Sequence, residues 1–437
     1  MIQHPKCAAL WHRGQQVLAG GPATLSKHPS RFAAGISPLA LETGAGPYVT
    51  CADGHTYLDT IAALGPVLLG YNDVRVTQAV GGQLLQGVVS SSLMTRLEVE
   101  VAEMLCAMIP GAEQVRYGKN GKDVTEAAVR LVRHVTGHRH VIYVGYSGGY
   151  SDYLITTDKA GGILPHLAMY NHQIPWRDFE ALMDILASCD HDLAGIMVEV
   201  PSESPGTTRE DTRQVLANYQ GQAASHRGLF ILDNIVTGFR LGLGGALSYY
   251  GIQPDLATHS KAIANGYPLS ALTGPRTLMQ AFANGKVFLS TTFAGEATAL
   301  AAAQATLTVL RETDALVQLQ QHGEALHQRL QDMAIQLRIP MTLYGDFSRM
   351  SLKWHDVPRV ATAHELYTLW LQEMIKRGVL CNVPLFSMCC WDQGIVDAIL
   401  FAAIEAFAVI GSVIHGARSI AEVLEVPIIG SVFNVRA

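Results

Sequence analysis

The sequence predicts an α/β protein: a large domain with a mostly parallel sheet sandwiched by helices, followed by a smaller α+β domain. Three observations predict it. Between about 97 and 310, short apolar runs that end in polar, glycine-bearing turns alternate with helical patterns. Past Leu310 the alternation gives way to a long amphipathic stripe. The 437 residues are enough for two or three domains and a large core.

Taken in order, residues 1–45 are rich in Gly, Pro, Ser and Ala and read as an irregular arm with one short helix. Tyr48 to Asp59 reads as a hairpin turning at Asp53-Gly54. Residues 1–55 are assigned to the small domain, 56–310 to the large one. Strands are expected at Gln114–Tyr117, His140–Val144, Gly195–Val200, Leu229–Asp233 and Leu256–His259. A helix is expected over Asp123–Val135, where Val124, Ala127, Ala128, Leu131 and Val132 recur at helical spacing. Residues 311–437 form the rest of the small domain. There Leu316, Leu319, Gly323, Leu326, Leu330, Met333 and Leu337 mark one face of a long helix that Pro340 ends. The apolar stretch Ile395 to Ile414 is interrupted by Asp397 and Glu405 and has no Lys or Arg flank, so a buried helix is expected, not a membrane span.

Composition narrows the function. A net charge of −6 gives no basic footprint for nucleic acid. Charged residues are 16% of the chain against a usual ~25%, which predicts surface hidden in a subunit interface. The seven cysteines are odd in number, irregularly spaced and without a CxxC. They predict reduced thiols in a cytoplasmic protein, with no disulfide frame and no zinc site. The N-terminus leads into no apolar signal core.

In open α/β sheets ligands sit beyond the carboxyl ends of strands, and the candidate residues fall there. Lys261 follows the strand at 256–259 and stands before a glycine-bearing loop; Asp233 ends the apolar run 229–232. A lysine can form a Schiff base with pyridoxal 5′-phosphate (PLP), and an aspartate can keep its pyridine nitrogen protonated. The alternatives are a solvated lysine and an aspartate paired to an arginine. Asn120, Gly121 and Lys122 lie where a strand turns into a helix, a seat for phosphate or simply a turn. A cation such as Lys122 in the first turn opposes the helix dipole unless an anion is near. Tyr146, in a glycine turn after the strand at 140–144, is placed to stack on a flat ring or to pack beside the turn. Glu199 is placed to orient cofactor groups or to pair with a neighbouring base.

With Gly65–Tyr71, Leu97–Glu103, Lys119–Ala128, Asp233–Arg240, Ser260–Gly274 and Ser290–Glu296 in this order, the chain resembles the class III aminotransferases of fold type I. Within them it resembles glutamate-1-semialdehyde 2,1-aminomutase and its aminotransferase relatives. The resemblance implies PLP as cofactor, bound to Lys261, which also moves protons at the substrate carbon. It implies that Asp233 partners the pyridine nitrogen, that Tyr146 stacks on the ring, and that Gly121 and the N–H of Lys122 face the phosphate. It implies that Thr292 reaches the phosphate of a neighbouring subunit, so the active site is shared in a homodimer. Four residues depart from the family pattern: Lys122 for a small hydroxyl residue, Asn234 for an acid, Ser147 for a frequent histidine, and Ala294 for glycine. They point to a divergent, biosynthetic enzyme. The implied activity is ping-pong transfer of an amino group between a small-molecule amine and a carbonyl acceptor. The alternatives are an aminomutase, favoured if Arg31 anchors a substrate carboxylate, and an inert PLP-binding partner subunit. Arg240 is expected to be structural. The apolar segment 383–391 is expected in the small-domain core, with a pocket wall as the alternative.

Overall fold

The computed structural model describes residues 4–149, 152–157, 160–189, 191–201 and 206–430. The arm opens with the helix Pro5–Val17 and leads to strands β1 (Leu41–Ala45), β2 (Tyr48–Cys51) and β3 (Thr56–Asp59). The hairpin turns at Asp53-Gly54 as expected, with Gly54 at φ 86°, a conformation that costs glycine nothing. The arm is not wholly irregular, however: β1 pairs antiparallel with β2. Its sequence, Leu-Glu-Thr-Gly-Ala, carries no strand signal of its own, and the pairing supplies the order.

The large sheet contains β4 (Gln114–Gly118), β5 (His140–Val144), β6 (Asn171–Ile174), β7 (Leu193–Glu199), β8 (Leu229–Asp233), β9 (Leu256–His259) and β10 (Ser270–Gly274). Its order is β4-β10-β9-β8-β7-β5-β6. Strands β6, β5, β7, β8 and β9 run parallel. Strand β10 is antiparallel to both neighbours. Expectation and structure agree to the residue for β5, β8 and β9. Strand β7 starts and ends earlier than Gly195–Val200. Strands β6 and β10 were not expected, because Asn-His-Gln-Ile and Ser-Ala-Leu-Thr-Gly lack an apolar run.

Both faces of the sheet are covered, and period 2 along β5 sorts its side chains between them. Ile142 and Val144 join a core with Val101, Leu105, Leu300 and Leu307 from helices Arg96–Met108 and Ala297–Glu312. Val141 and Tyr143 join the opposite core with Val124, Leu131 and Val132. These three lie on the helix Gly121–Thr136, which starts two residues before the expected Asp123. Asp123 is itself the reason: its Oδ2 accepts the N–H groups of Lys119 and Asn120 at 2.8 and 2.9 Å, closing the helix start.

After the helix Ala315–Gln336 come β11 (Met341–Asp346), β12 (Arg349–Trp354), the helix Ala363–Lys376, β13 (Val379–Leu380), β14 (Leu385–Phe386) and the helix Gln393–Ile414. Strands β11, β12 and β14 form an antiparallel sheet. Strand β13 adds parallel to β3, so one sheet joins residues from both ends of the chain. The helix Gln393–Ile414 is long and apolar enough to cross a membrane. One face, with Val396, Ile399, Ala403, Phe407 and Ile410, is instead built into the small-domain core. In segment 383–391, Leu385, Phe386, Met388, Cys389 and Trp391 are all buried, as expected of core.

Candidate active site

The strand register assembles the site. Glu199 is the cross-strand partner of Asp233, and Asp233 of Thr258, so the carboxyl ends of β7, β8 and β9 lie side by side. Lys261 is the second residue after β9. Its φ is 47°, a left-handed conformation that costs a non-glycine residue about 1 kcal/mol or more and persists only where the surroundings impose it. The surroundings here are visible. Ser260 Oγ donates to Leu269 O at 2.8 Å. Asn265, also left-handed at φ 44°, accepts from the N–H groups of Leu68 and Leu69 at 2.9 and 2.8 Å and donates to Gly70 O at 3.0 Å. The lysine turn is thus stapled to the segment Gly65–Gly70.

Asp233 is buried, and its Oδ1 accepts from Ile235 N–H at 3.1 Å and Thr258 Oγ1 at 3.3 Å. Burial pushes this carboxyl up to about 7; the charge of Glu199 adds to the shift, and Lys261 opposes it. Burial likewise brings the Lys261 amine down to about 8, with Arg349 and Arg240 acting in the same direction and Glu199 and Asp233 against it. Lysine, aspartate and glutamate therefore act on one another electrostatically.

Glu199 Oε2 accepts the backbone N–H of Tyr146 at 2.9 Å, fixing the aromatic loop. Tyr146 itself is nearly half exposed. Gly145, at φ 90°, lets that loop pass Glu199: a Cβ there would lie 3.0 Å from Glu199 Cβ. On the phosphate turn, a Cβ at Gly121 would meet Ile235 Cδ1 at 2.7 Å, so any larger residue would push Ile235 aside. Asn120 is the residue before the helix. Lys122 does not reach out from the turn: its side chain is buried, with Nζ 3.2 Å from Ser147 O and 3.4 Å from Glu126 Oε2. The glutamate and the carbonyl offset the cation that the dipole would disfavour. Lys119 ties the same turn to Glu296 at 3.0 Å, and Glu296 caps the helix Ala297–Glu312. Thr292 is exposed and lines a cleft with Leu93, Met94, Arg116 and Leu289.

Besides Lys122, one departure from the family pattern, Asn234, finds a physical account. Asn234 is fully buried: Oδ1 accepts from Thr237 Oγ1 at 2.8 Å and Ala246 N–H at 3.0 Å, and Nδ2 faces His259 Nδ1 at 3.2 Å. Burial holds the His259 imidazole down at about 3, hence neutral; with Thr273 Oγ1 donating to Ala257 O, Nε2 donates to Thr273 and Nδ1 accepts, a bond the Asn234 amide provides and a carboxylate does not. Ser147 Oγ is buried with no hydrogen-bond partner among the described residues. Nothing in the structure explains Ala294.

Nothing in the sequence marks Arg349 as part of the site. This residue starts β12, and its Nη1 lies 3.7 Å from Glu199 Oε1. Its Nε and Nη1 are buried without a hydrogen-bond partner among the described residues. Only the fold could reveal it, since it comes from the small domain. Ile235, beside Gly121, carries a signal that Arg349 lacks, its place two residues after Asp233. Arg240 is structural, as expected: its guanidinium donates to Gly65 O at 2.7 and 3.0 Å and to Ser387 O at 2.9 Å. Arg31 donates to Gly430 O at 2.6 Å.

PLP fits these residues. A buried carboxyl with a raised pKa suits a cationic ring nitrogen, and an amine brought near neutrality suits attack on an aldehyde. The cradle at Gly121 and the first-turn N–H groups suit a phosphate.

Known proteins agree. The class-III aminotransferase family profile matches residues 32–341. A glutamate-1-semialdehyde 2,1-aminomutase of Aquifex aeolicus (strain VF5) is 29% identical over 392 residues, covering 85% of this chain and 91% of its own. A 3-aminobutyryl-CoA aminotransferase of Cloacimonas acidaminovorans (strain Evry) is 31% identical over 346 residues, covering 77% of this chain and 80% of its own. The fold is shared with the FumI protein of Sphingopyxis sp. MTA144, solved in its PLP internal aldimine form, at a TM-score of 0.83 and 24% identity over 92% of this chain and 96% of that one. This chain belongs to the class-III aminotransferase family of PLP-dependent enzymes.

Proposed function

We propose that the chain is a ping-pong aminotransferase acting on a carboxylate-bearing substrate, with Lys261 and Asp233 as its catalytic residues. The observation that carries this reading is the meeting of Lys261, Asp233 and Glu199 at three adjacent strand ends, where the lysine titrates at about 8. Bound PLP supplies an electron sink for charge developing at the substrate carbon. The chain's own residues do the rest. Lys261 Nζ has a sizeable neutral fraction near pH 8, so it can take a proton from that carbon and return it. Asp233 holds positive charge at the ring nitrogen. Asn120, Gly121 and the N–H of Lys122 seat the phosphate, while Tyr146 covers one ring face and Glu199 fixes the loop that carries it. Arg349 brings a guanidinium beside Glu199, with Nε and Nη1 lacking a hydrogen-bond partner among the described residues, and a substrate carboxylate is the acceptor such a cation suits.

Thr292 would complete the site of a second subunit, making the enzyme a homodimer. The exposed apolar side chains of Leu85, Leu93, Met94, Phe288 and Phe293 support this, since patches of that kind mark interfaces. We take residues 1–55 and 311–437 as one small domain on a cofactor domain of 56–310; β3 begins at the first boundary and pairs with β2 and β13 of the small domain. The free thiols fit a reducing cytoplasm, and a biosynthetic role is in keeping with the aminotransferases and aminomutases it resembles.

Relatives named as aminomutases support a second reading, in which one substrate has its amino group moved to the adjacent carbon. A screen of amino donors and acceptors, followed by the cofactor absorbance, separates the readings. Stoichiometric release of a keto product supports transfer; isomerisation without release supports the mutase. Lys261→Ala should abolish both. A cofactor absorbance that no amine changes would leave only an inert binding subunit. Arg349→Gln should raise KM about 10–100-fold for carboxylate substrates, the worth of a hydrogen bond to a charged group, and leave neutral amines nearly unchanged. Equal effects on both would remove Arg349 from the substrate site.

A further inference from the structure

Far along the chain from Lys261, the arm and the first hairpin bring together His4, Cys7, Cys51 and Asp53, whose ligand atoms all lie within 4.8 Å of one another. They form two short pairs, His-x-x-Cys at the start of the helix Pro5–Val17 and Cys-x-Asp at the end of β2. His4 Nδ1 stands 3.8 Å from Cys51 Sγ and 3.9 Å from Asp53 Oδ2. A tetrahedral zinc ion with bonds of about 2.0–2.3 Å has ligand–ligand edges of roughly 3.3–3.8 Å, so these two edges need almost no adjustment. The shell is dry. Cys7 and Cys51 are 0% and 1% exposed, and the His4 and Asp53 side chains 6% and 5%.

A further contact aims one donor inward. His4 Nε2 lies 3.0 Å from Ile36 O. A carbonyl can only accept, so Nε2 carries the proton and Nδ1 presents its lone pair to Cys51 and Asp53. This is the outer hydrogen bond that orients metal-bound histidines. Asp53 Oδ1 and Oδ2 accept the N–H groups of Lys6 and Cys7 at 2.7 and 2.9 Å, and the Cys7 thiol donates to Ala40 O at 3.4 Å, a bond that metal binding would give up. Two thiols, an imidazole and a carboxylate form a donor set that selects a thiophilic, four-coordinate cation over calcium or magnesium.

We propose that His4, Cys7, Cys51 and Asp53 form a structural site for a zinc-class divalent cation that clips the arm helix to the hairpin. Binding converts both thiols to thiolates and releases two protons. It closes a loop of 46 residues between Cys7 and Asp53 that is otherwise held by hydrogen bonds. The sequence signalled no such site, because its ligands come from two distant pairs of mixed type. A second group, His140, His172 and Cys189, carries no such inference: His140 Nδ1 and His172 Nε2 are 2.9 Å apart and satisfy each other. It serves as the control.

The test is cobalt(II) titration of the reduced, full-length, PLP-loaded protein, read by thiolate-to-cobalt charge transfer and tetrahedral d–d absorption, with metal content measured after zinc exchange. One equivalent per chain is expected, with two protons released. Losing an outer partner weakens metal sites about 10–100-fold, so Cys7→Ser and Cys51→Ser should each weaken binding by ~100-fold or more, and Cys189→Ser should change nothing. Intact PLP absorbance and circular dichroism show that each variant is folded. Asp53→Asn, which removes the charge and keeps an acceptor for one of the two helix N–H groups, provides a second variant and should also weaken binding. The proposal is overturned if the reduced wild type shows no charge-transfer band at stoichiometric cobalt. A band that survives both Cys7→Ser and Cys51→Ser, or that disappears in Cys189→Ser, overturns it as well. So does a Cys7–Cys51 disulfide whose reduction restores no metal binding.

Discussion

Replacing Asp233 by Asn should make the cofactor-free protein more stable and the enzyme far less active. In the fold the Asp233 carboxyl titrates at about 7, against 3.8 when free, chiefly because it is buried. At about 1.4 kcal/mol per pH unit, keeping this group ionised costs the folded state up to ~4 kcal/mol. The sign follows from linkage. A carboxyl whose pKa is raised by folding is bound to its proton more tightly in the native state, so stability falls as pH rises from about 4 to about 7, and the whole penalty is present above that. Asn has the same shape, and its Oδ1 can still accept from both Ile235 N–H and Thr258 Oγ1, yet it carries no charge. The assay is urea unfolding of PLP-stripped wild type and Asp233→Asn at pH 5 and pH 8. The advantage of the variant should grow with pH and approach ~4 kcal/mol at pH 8, with water entry and the Lys261 charge reducing it. Adding PLP should narrow or reverse the difference, since the cationic ring nitrogen then pairs with the carboxylate. Catalysis should fall about 100-fold or more, the usual loss when one preorganised charge is removed from a transition state. Parallel pH profiles for the two stripped proteins, or a variant that is the less stable at pH 8, would refute the reasoning.

Other outcomes follow from the same geometry. The rate at which PLP attaches covalently to the stripped enzyme should rise with pH and level off above about 8, because only the neutral Lys261 amine reacts; rapid-mixing absorbance from pH 6 to 9.5 checks this, and a profile still climbing toward the ordinary lysine range near 10.5 would contradict it. Gly121→Ala places a methyl 2.7 Å from Ile235 Cδ1, so PLP affinity should drop about 10-fold by equilibrium dialysis with the fold retained. Asn234→Leu leaves Ala246 N–H, Thr237 and His259 without their partner; thermal unfolding should show a loss of about 2–3 kcal/mol, more than a Leu replacement at an exposed position gives.

What the sequence determined by itself was the part of the protein that local pattern encodes. Strands at 229–233 and 256–259 were legible to the residue, because each is a short apolar run closed by a polar residue, and the acid and the amine of the site stand at or just past those ends. The glycine at 121 was legible too, since a strand-to-helix turn needs it. Tertiary structure decided everything that depends on a distant partner. Strand β10 has small and polar residues and exists because β4 and β9 flank it. Lys122 turned inward because Glu126 and Ser147 were there to receive it. Asn234 took its role from His259, and Arg349 reached Glu199 from another domain's sheet. Even the shifted titration of Asp233 and Lys261 belongs to this second group: a sequence fixes which groups ionise, but only burial removes the water that sets how readily they do so.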